Sequence, residues 1–377
     1  LNTEISKIQK ENDEGGKYVV SVRSFFQGNE FYYFVYQDFK DVRLVGTPPE
    51  NVGKFGGDTD NWEWPRHTGD FSVFRVYTDK NGNPAEYSPE NIPMKAQKYL
   101  NVSLKGVEEK DFAMILGYPG RTNRWVSSYW VDQQVKYGYP AWVESSKTAM
   151  DAMKKHMDAD NAVRLKYASA YAGLANYWKN RQGMIDALTA HKTAALKRKA
   201  EKKFAKWAAK QENKAEYGTV LTDLASFFAK TNEQAANQNY LAIFFRASQL
   251  ASQANPLAKE LSLYLNSSSD KEKQQIKERV TQGLYNYYDR TYLPAEIDLF
   301  ADNLKLYADK SNDIPQELAE VKQQYKGDFK KYAAEVFARS IFTSKENIDN
   351  FFQNPSQEAL DNDPLARIAK VLVDKYN

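Results

Sequence analysis

The hydrophobic period of this chain changes once, near Arg121, and that single change constrains the fold more than any other feature of the 377 residues. Before it lie β-branched and aromatic runs at Lys17–Phe25, Phe31–Tyr36, Val42–Val45, Phe71–Tyr77 and Asp111–Leu116. Turn signals such as Gln27-Gly-Asn29 and Lys80-Asn-Gly-Asn83 separate them, which predicts short antiparallel strands of a barrel or sandwich. Phe31–Tyr36 is apolar at every position, so it is expected either to be buried on both faces or to meet another domain with its outer face. After Gly117-Tyr-Pro-Gly120 the apolar residues recur at helical spacing, first at Met150, Met153 and Met157 and then at Leu165, Tyr171, Leu174, Trp178, Ile185 and Leu188.

Further amphipathic stretches follow at Val220–Ala229, Tyr240–Gln253, Leu257–Leu265, Glu272–Tyr288, Glu296–Tyr307, Gln316–Tyr325, Phe329–Phe342 and Leu365–Tyr376. Pro256, Pro294, Pro315 and Pro364 each fit a helix start, where no amide donor is required. The prediction is an all-helical domain of roughly 250 residues with no fixed repeat period.

Composition narrows the function classes. Hydrophobic residues make up 42% and aromatics 14%, enough for sizeable cores, and a net charge of +3 gives no strong pull toward nucleic acid or acidic membranes. No apolar run approaches the roughly 20 residues a membrane helix needs. The absence of cysteine excludes disulfides, thiolate catalysis and cysteine-based zinc sites. There is no initiator Met and no signal peptide, and the chain opens on Leu1-Asn-Thr-Glu-Ile, so a piece of a longer protein is expected.

The chemistry concentrates between Phe55 and Asp70, where Phe-Gly-Gly-Asp-Thr-Asp-Asn-Trp-Glu-Trp-Pro-Arg-His-Thr-Gly-Asp places two tryptophans, three aspartates and one of three histidines among glycines. Glycine and proline punctuation excludes a helix, and the lack of alternation excludes a plain strand, leaving an ordered loop. Such a loop is either a polar Ω-loop whose aspartates cap turns or a functional site. A calcium loop starting Asp58-Thr-Asp60-Asn61 fails the EF-hand spacing, since Trp62 and Glu63 stand where a ligand and a glycine belong. Zinc through His67 and Asp70 lacks a local third ligand. The remaining functional reading is a carboxylate that orients a catalytic base, with Asn and Trp lining a cleft. No Gly-x-Ser-x-Gly or Gly-Asn-Ser-Gly arrangement occurs, so a serine nucleophile would lie outside the chain.

On the helical side, Leu174-Ala-Asn-Tyr-Trp-Lys-Asn-Arg-Gln-Gly183 carries Tyr177 and Trp178 on the apolar stripe, where core packing explains them. Asn176 reads either as an interhelical contact or as an acceptor for a substrate ammonium. The basic stretch Lys197-Arg-Lys199, Lys202-Lys203 and Lys206 is interleaved with Glu201 and reads as a solvated helix face, and His156 and His191 read as surface residues.

The Phe55–Asp70 order resembles the signature of the bacterial dipeptidyl-peptidase 7 and dipeptidyl-peptidase 11 family, serine exopeptidases of family 46 in the chymotrypsin-like clan. Gly46-Thr-Pro-Pro49, Leu116-Gly-Tyr-Pro-Gly120 and Ala168-Ser-Ala-Tyr-Ala-Gly-Leu-Ala-Asn-Tyr-Trp-Lys-Asn-Arg181 extend the likeness. The resemblance implies an α+β multidomain fold: part of a chymotrypsin-like double β-barrel over residues 1–121, then a large inserted all-helical cap domain over 122–377. It gives Asp70 the role of triad aspartate and gives Asn61, Trp62 and Asn176 the task of holding the free N-terminus of a peptide substrate. It puts the triad His before Leu1 and the Ser after Asn377, so this chain alone is expected to be inactive. Peptides with a free N-terminus are the implied partners, with no cofactor, no metal and no nucleic acid, in a periplasmic or secreted bacterial protein that forms homodimers. The alternative is a non-catalytic module that binds peptides or proteins.

Overall fold

The computed structural model describes residues 2–57, 61–64, 67–114, 116–117 and 122–376. The chain divides into two compact units, Leu1–Thr59 with Glu63–Gly120, and Asp60–Trp62 with Arg121–Asn377.

In the first unit, β1 (Val19–Phe25) pairs antiparallel with β2 (Glu30–Tyr36), and the register sets Val20 opposite Val35 and Phe25 opposite Glu30. A second sheet has the order β3 (Val42–Gly46), β4 (Val73–Thr78) and β5 (Ile92–Pro93), with a register shift between Leu44 and Gly46. Asp41 fastens this sheet. Its buried carboxylate takes two bonds from the Arg43 guanidinium, at 2.9 and 2.8 Å, and one from Asn91 Nδ2 at 2.8 Å. The guanidinium in turn lies 3.7 Å from the ring centre of Tyr77, so a cation–π contact backs the ion pair.

Two expectations change here. Every residue of β2 is exposed: the helix Asn2–Asn12 reaches β1, where Gln9 Nε2 donates to the oxygen of buried Val20 at 3.0 Å, and leaves the aromatics of β2 uncovered. The described residues of Asp111–Leu116 form no strand, since a strand needs a partner for its main-chain groups and none pairs with them; Phe112 is 88% and Leu116 83% exposed. Among the described residues the strand-rich part therefore amounts to these two small sheets, with no closed barrel.

Apart from Asn61, Trp62, residues 122–127 and the short connections, the described residues of the second unit are helical. Its larger core gathers Phe244, Leu250, Phe300, Leu304, Phe337 and Leu365, among others. Its smaller core packs Ala149, Met150 and Met153 of the Tyr139–Ala159 helix against Val163, Tyr167, Leu174 and Ala175 of the Asn161–Ala190 helix. The proline rule works at Pro294, Pro315 and Pro364, each at the start of a helix. It fails at Pro256, which sits inside the Gln249–Asn266 helix. That interior proline costs about 3 kcal/mol, a loss that burial of Leu250, Ala251, Ala254 and Leu261 along one face offsets. The Phe329–Arg339 helix stops three residues short of Phe342, because buried Asp363 accepts from the Ile341 amide at 2.8 Å and from Ser340 Oγ at 3.1 Å and so pins an extended turn.

Candidate functional site

Asn176 owes its position to the helix that carries it. Thirty residues long, Asn161–Ala190 spans about 45 Å. Asp160 caps it, its Oδ1 accepting from the Ala162 amide at 2.7 Å. Leu174 and Ala175 are buried in the smaller core and fix the rotation of the helix, which leaves the next residue half-buried at the edge of that core. Trp178 packs against the same core as expected, whereas Tyr177 is 42% exposed. Instead of entering the interior, Tyr177 lies beside Trp142 and under Arg246, whose guanidinium carbon is 5.1 Å from its ring centre.

The structure brings Asn61 and Trp62 onto this helix edge, across a sequence separation of 115 and 114 residues. Asn61 Nδ2 donates to Asn176 Oδ1 at 3.0 Å, and the Trp62 indole Nε1 donates to both Asn176 Oδ1 at 3.1 Å and the Asn176 main-chain oxygen at 3.2 Å. One turn further along, Lys179 Nζ donates to the main-chain oxygen of Asn61 at 3.2 Å. Trp62 adopts φ of +69°, a left-handed conformation that costs a residue with a Cβ roughly 1–2 kcal/mol. Such strain persists only where the surroundings over-determine it. The bonds to the helix supply that constraint, and Trp62 as a whole is still 60% exposed.

The expected ammonium acceptor is thus already engaged. A carbonyl oxygen has two lone-pair directions, and both of those on Asn176 Oδ1 receive protein donors. In the structure Asn176 first of all organises Asn61 and Trp62.

Asp70 belongs to the other unit. The Phe71 amide donates to the Gly69 oxygen at 3.1 Å, closing a three-residue turn with Asp70 at its centre, and the Gly69 amide donates to the Val52 oxygen at 3.1 Å. A Cβ on Gly69 would lie 3.2 Å from the Val52 side chain, so this close approach suits glycine. The main chain on either side of Asp70 is held while its side chain is exposed, and β4 begins only at Val73. Asp58, Thr59, Asp60, Pro65 and Arg66, and with them most of the calcium-loop alternative, lie outside the described residues.

Sequence reasoning missed several polar clusters. Glu296, 3% exposed, accepts from the hydroxyls of Tyr167 and Tyr287 and so ties three helices together. Burial pushes its carboxyl up against the opposing effect of the two phenols, and burial likewise pushes both tyrosines up. His156 is not a surface residue: its side chain is 14% exposed and its Nε2 lies 2.9 Å from Asp298, which also receives Lys155 at 2.6 Å and Lys330 at 3.3 Å. Burial works to raise the Asp298 carboxyl, but these neighbours outweigh it and hold the group low. Each of these residues is ordinary in local sequence and meets its partners only through tertiary packing. In the basic stretch, Lys199, Lys202, Lys203 and Lys206 are exposed, and Glu201 instead caps a neighbouring helix through Ser128 at 2.6 Å.

The chain belongs to peptidase family S46, whose model, described as Peptidase S46, matches residues 1–377. It is 79% identical over 376 residues to dipeptidyl-peptidase 7 of Capnocytophaga gingivalis, covering 100% of this chain and 53% of that protein. It is 35% identical over 360 residues to the Asp/Glu-specific dipeptidyl-peptidase of Flavobacterium psychrophilum, covering 94% of this chain and 50% of that one. Among solved structures it resembles Porphyromonas endodontalis DPP11 in complex with the dipeptide Arg-Glu, with a TM-score of 0.74, 30% identity, and coverage of 99% of this chain and 54% of that one. The chain spans about half the length of the curated relatives it matches.

Proposed function

We propose that this chain is part of a serine-type dipeptidyl peptidase, with Asp70 orienting the catalytic histidine and Asn61, Trp62 and Asn176 anchoring the free N-terminus of the substrate. One observation carries the second assignment. The three residues that the family likeness names for this task, two of them in a loop and one on a helix more than a hundred residues away, share a single hydrogen-bonded cluster. An exopeptidase that removes dipeptides must hold an ammonium at a fixed distance from the scissile bond, and neutral amide oxygens with an aromatic wall do so without cancelling its charge. The relatives' names supply the reaction, and the 79% identity to a dipeptidyl-peptidase 7, against 35% to an Asp/Glu-specific one, favours the former as guide to residue preference.

A triad aspartate fixes the tautomer of a histidine and stabilises its protonated form, but supplies no nucleophile. Neither a histidine partner nor a serine is assigned within this chain, so it should not turn over substrate alone. The test is release of a chromogenic group from an unblocked dipeptide substrate by the 377-residue chain and by the full-length protein. Turnover confined to the full-length protein supports the reading, and turnover by the isolated chain refutes the assignment of Asp70 to a triad completed elsewhere.

A further inference from the structure

We infer that Lys179 is a positioning residue for the N-terminus anchor, acting on the substrate through the main chain of Asn61 and the conformation of Trp62. The inference rests on the reading of Asn61, Trp62 and Asn176 given above and adds a residue to it. Lys179 lies three positions after Asn176, so the two side chains rise from the same helix face one turn apart. Of the bonds between this helix and the loop, those made by Asn176 hold the side chains of Asn61 and Trp62. The bond from Lys179 Nζ to the Asn61 oxygen, at 3.2 Å, instead holds the peptide plane that enters Trp62.

That plane matters because Trp62 sits at φ of +69°. The Asn61 oxygen and the Trp62 amide belong to one rigid unit, and anchoring the oxygen sets the direction from which the strained residue is entered. With the plane free to turn, Trp62 can relax toward the broad extended region, which swings its indole away from the Asn176 oxygens. The ammonium of Lys179 therefore fixes, at a distance, the aromatic wall on which the substrate's own ammonium would rest. A second effect runs in the opposite direction. A lysine charge near a bound ammonium repels it, so a variant that loses the charge and nothing else would bind substrate more tightly. The sign of the change in KM separates positioning from simple electrostatics.

The experiment is steady-state kinetics of the full-length protein carrying Lys179→Met, Lys179→Arg, Asn61→Ala or Asn176→Ala, with a dipeptide substrate in free-amine and N-acetylated forms. For Lys179→Met the expected result is a KM for the free-amine substrate raised roughly tenfold, as the charged hydrogen bond to the Asn61 oxygen is lost, with kcat within about twofold. Discrimination against the acetylated form should fall in parallel, and Lys179→Arg should restore most of both. An unchanged or lowered KM in Lys179→Met, while Asn61→Ala and Asn176→Ala raise it, overturns the role of Lys179 and leaves the anchor standing. If neither asparagine variant changes the free-amine preference, the anchor and the inference fall together. A Lys179→Met protein that melts earlier, loses kcat and keeps its discrimination marks the lysine as merely structural and also overturns the proposal.

Discussion

Glu296→Gln offers a test of the energetics of the helical unit, because it exchanges a buried carboxylate for an amide of the same shape. The wild-type carboxylate is 3% exposed and accepts from two phenol hydroxyls. Burial raises its titration above the ordinary value of 4.5, although both tyrosines pull it down, so desolvation wins. Glutamine keeps one acceptor oxygen but turns an NH2 toward the second phenol. If that phenol is Tyr167, it has an alternative acceptor, since the Tyr292 oxygen already lies 3.4 Å from its hydroxyl. Near pH 4, where the carboxyl is protonated, the two proteins should therefore agree to within about 1 kcal/mol. The pH dependence carries the sign. A folded-state carboxyl titrating above its unfolded value contributes stability that is fully present below pH 4.5 and is lost as pH rises through the folded value. The variant lacks that loss, so it should gain on the wild type by about 1.4 kcal/mol for every pH unit separating the two titrations, then run parallel. Urea denaturation from pH 4 to 8, followed by far-ultraviolet circular dichroism, reads the helical unit directly. A stability gap that does not change with pH, or a wild type that gains on the variant as pH rises, would falsify the claim that desolvation outweighs the two phenol bonds.

Asp70→Ala in the full-length protein should lower kcat by about four orders of magnitude with little change in folding, as loss of a triad aspartate does, and a drop below tenfold in a stopped-time peptidase assay contradicts the assignment. Asn176→Ala removes the acceptor that Asn61 Nδ2 meets on the helix but leaves Trp62 Nε1 its main-chain acceptor at 3.2 Å, so KM for free-amine substrates should rise roughly tenfold, and an unchanged KM defeats the anchor. In the small sheet, the Arg43 guanidinium holds the Asp41 carboxyl down to about 2. The stability this pair adds is present above the ordinary value of 3.8 and disappears as pH falls through about 2. Arg43→Met should weaken that acid dependence, leaving the part due to Asn91, and speed amide hydrogen exchange in β3 and β4; exchange rates equal to those of the wild type would show that the ion pair does not hold the sheet.

What was legible in the sequence is what local physics decides. The change of period near Arg121 separates the part that holds the small sheets from the helical part, although the helix Asn2–Asn12 precedes the first strand, and three of the four prolines mark helix starts, because a missing amide donor is a local property. Val220–Ala229 and Tyr240–Gln253 illustrate the limit. Their intervening polar residues look like a break, yet Val220–Ala247 is one helix, which ends at Ser248, where the chain leaves helical geometry. Polar residues stop a helix only if they cap it or if burial on either side fails to carry it through. The exposed aromatics of β2 show the converse, since alternation and apolarity reveal what a strand would cover but not whether a covering layer is present.

The candidate site divides along the same line. Asn176 stood out as an amide among alanines and aromatics, and the family likeness singled out Asn61 and Trp62, but nothing local revealed that they bond to one another. That mutual bonding alters the chemistry expected of them. An asparagine oxygen with both lone pairs engaged is a poor first acceptor for an arriving ammonium, because the ammonium must displace one of two donors already in place. The displaced donor also matters: releasing Trp62 Nε1 from the side-chain oxygen costs little, since the indole retains the Asn176 main-chain oxygen at 3.2 Å. Substrate capture at this cluster would thus shift the indole's bond onto the main chain while Lys179 keeps the Asn61 plane fixed. On the proposed function, the lysine's task is to keep the loop in place when the loop's own hydrogen bonds are exchanged for the ligand's.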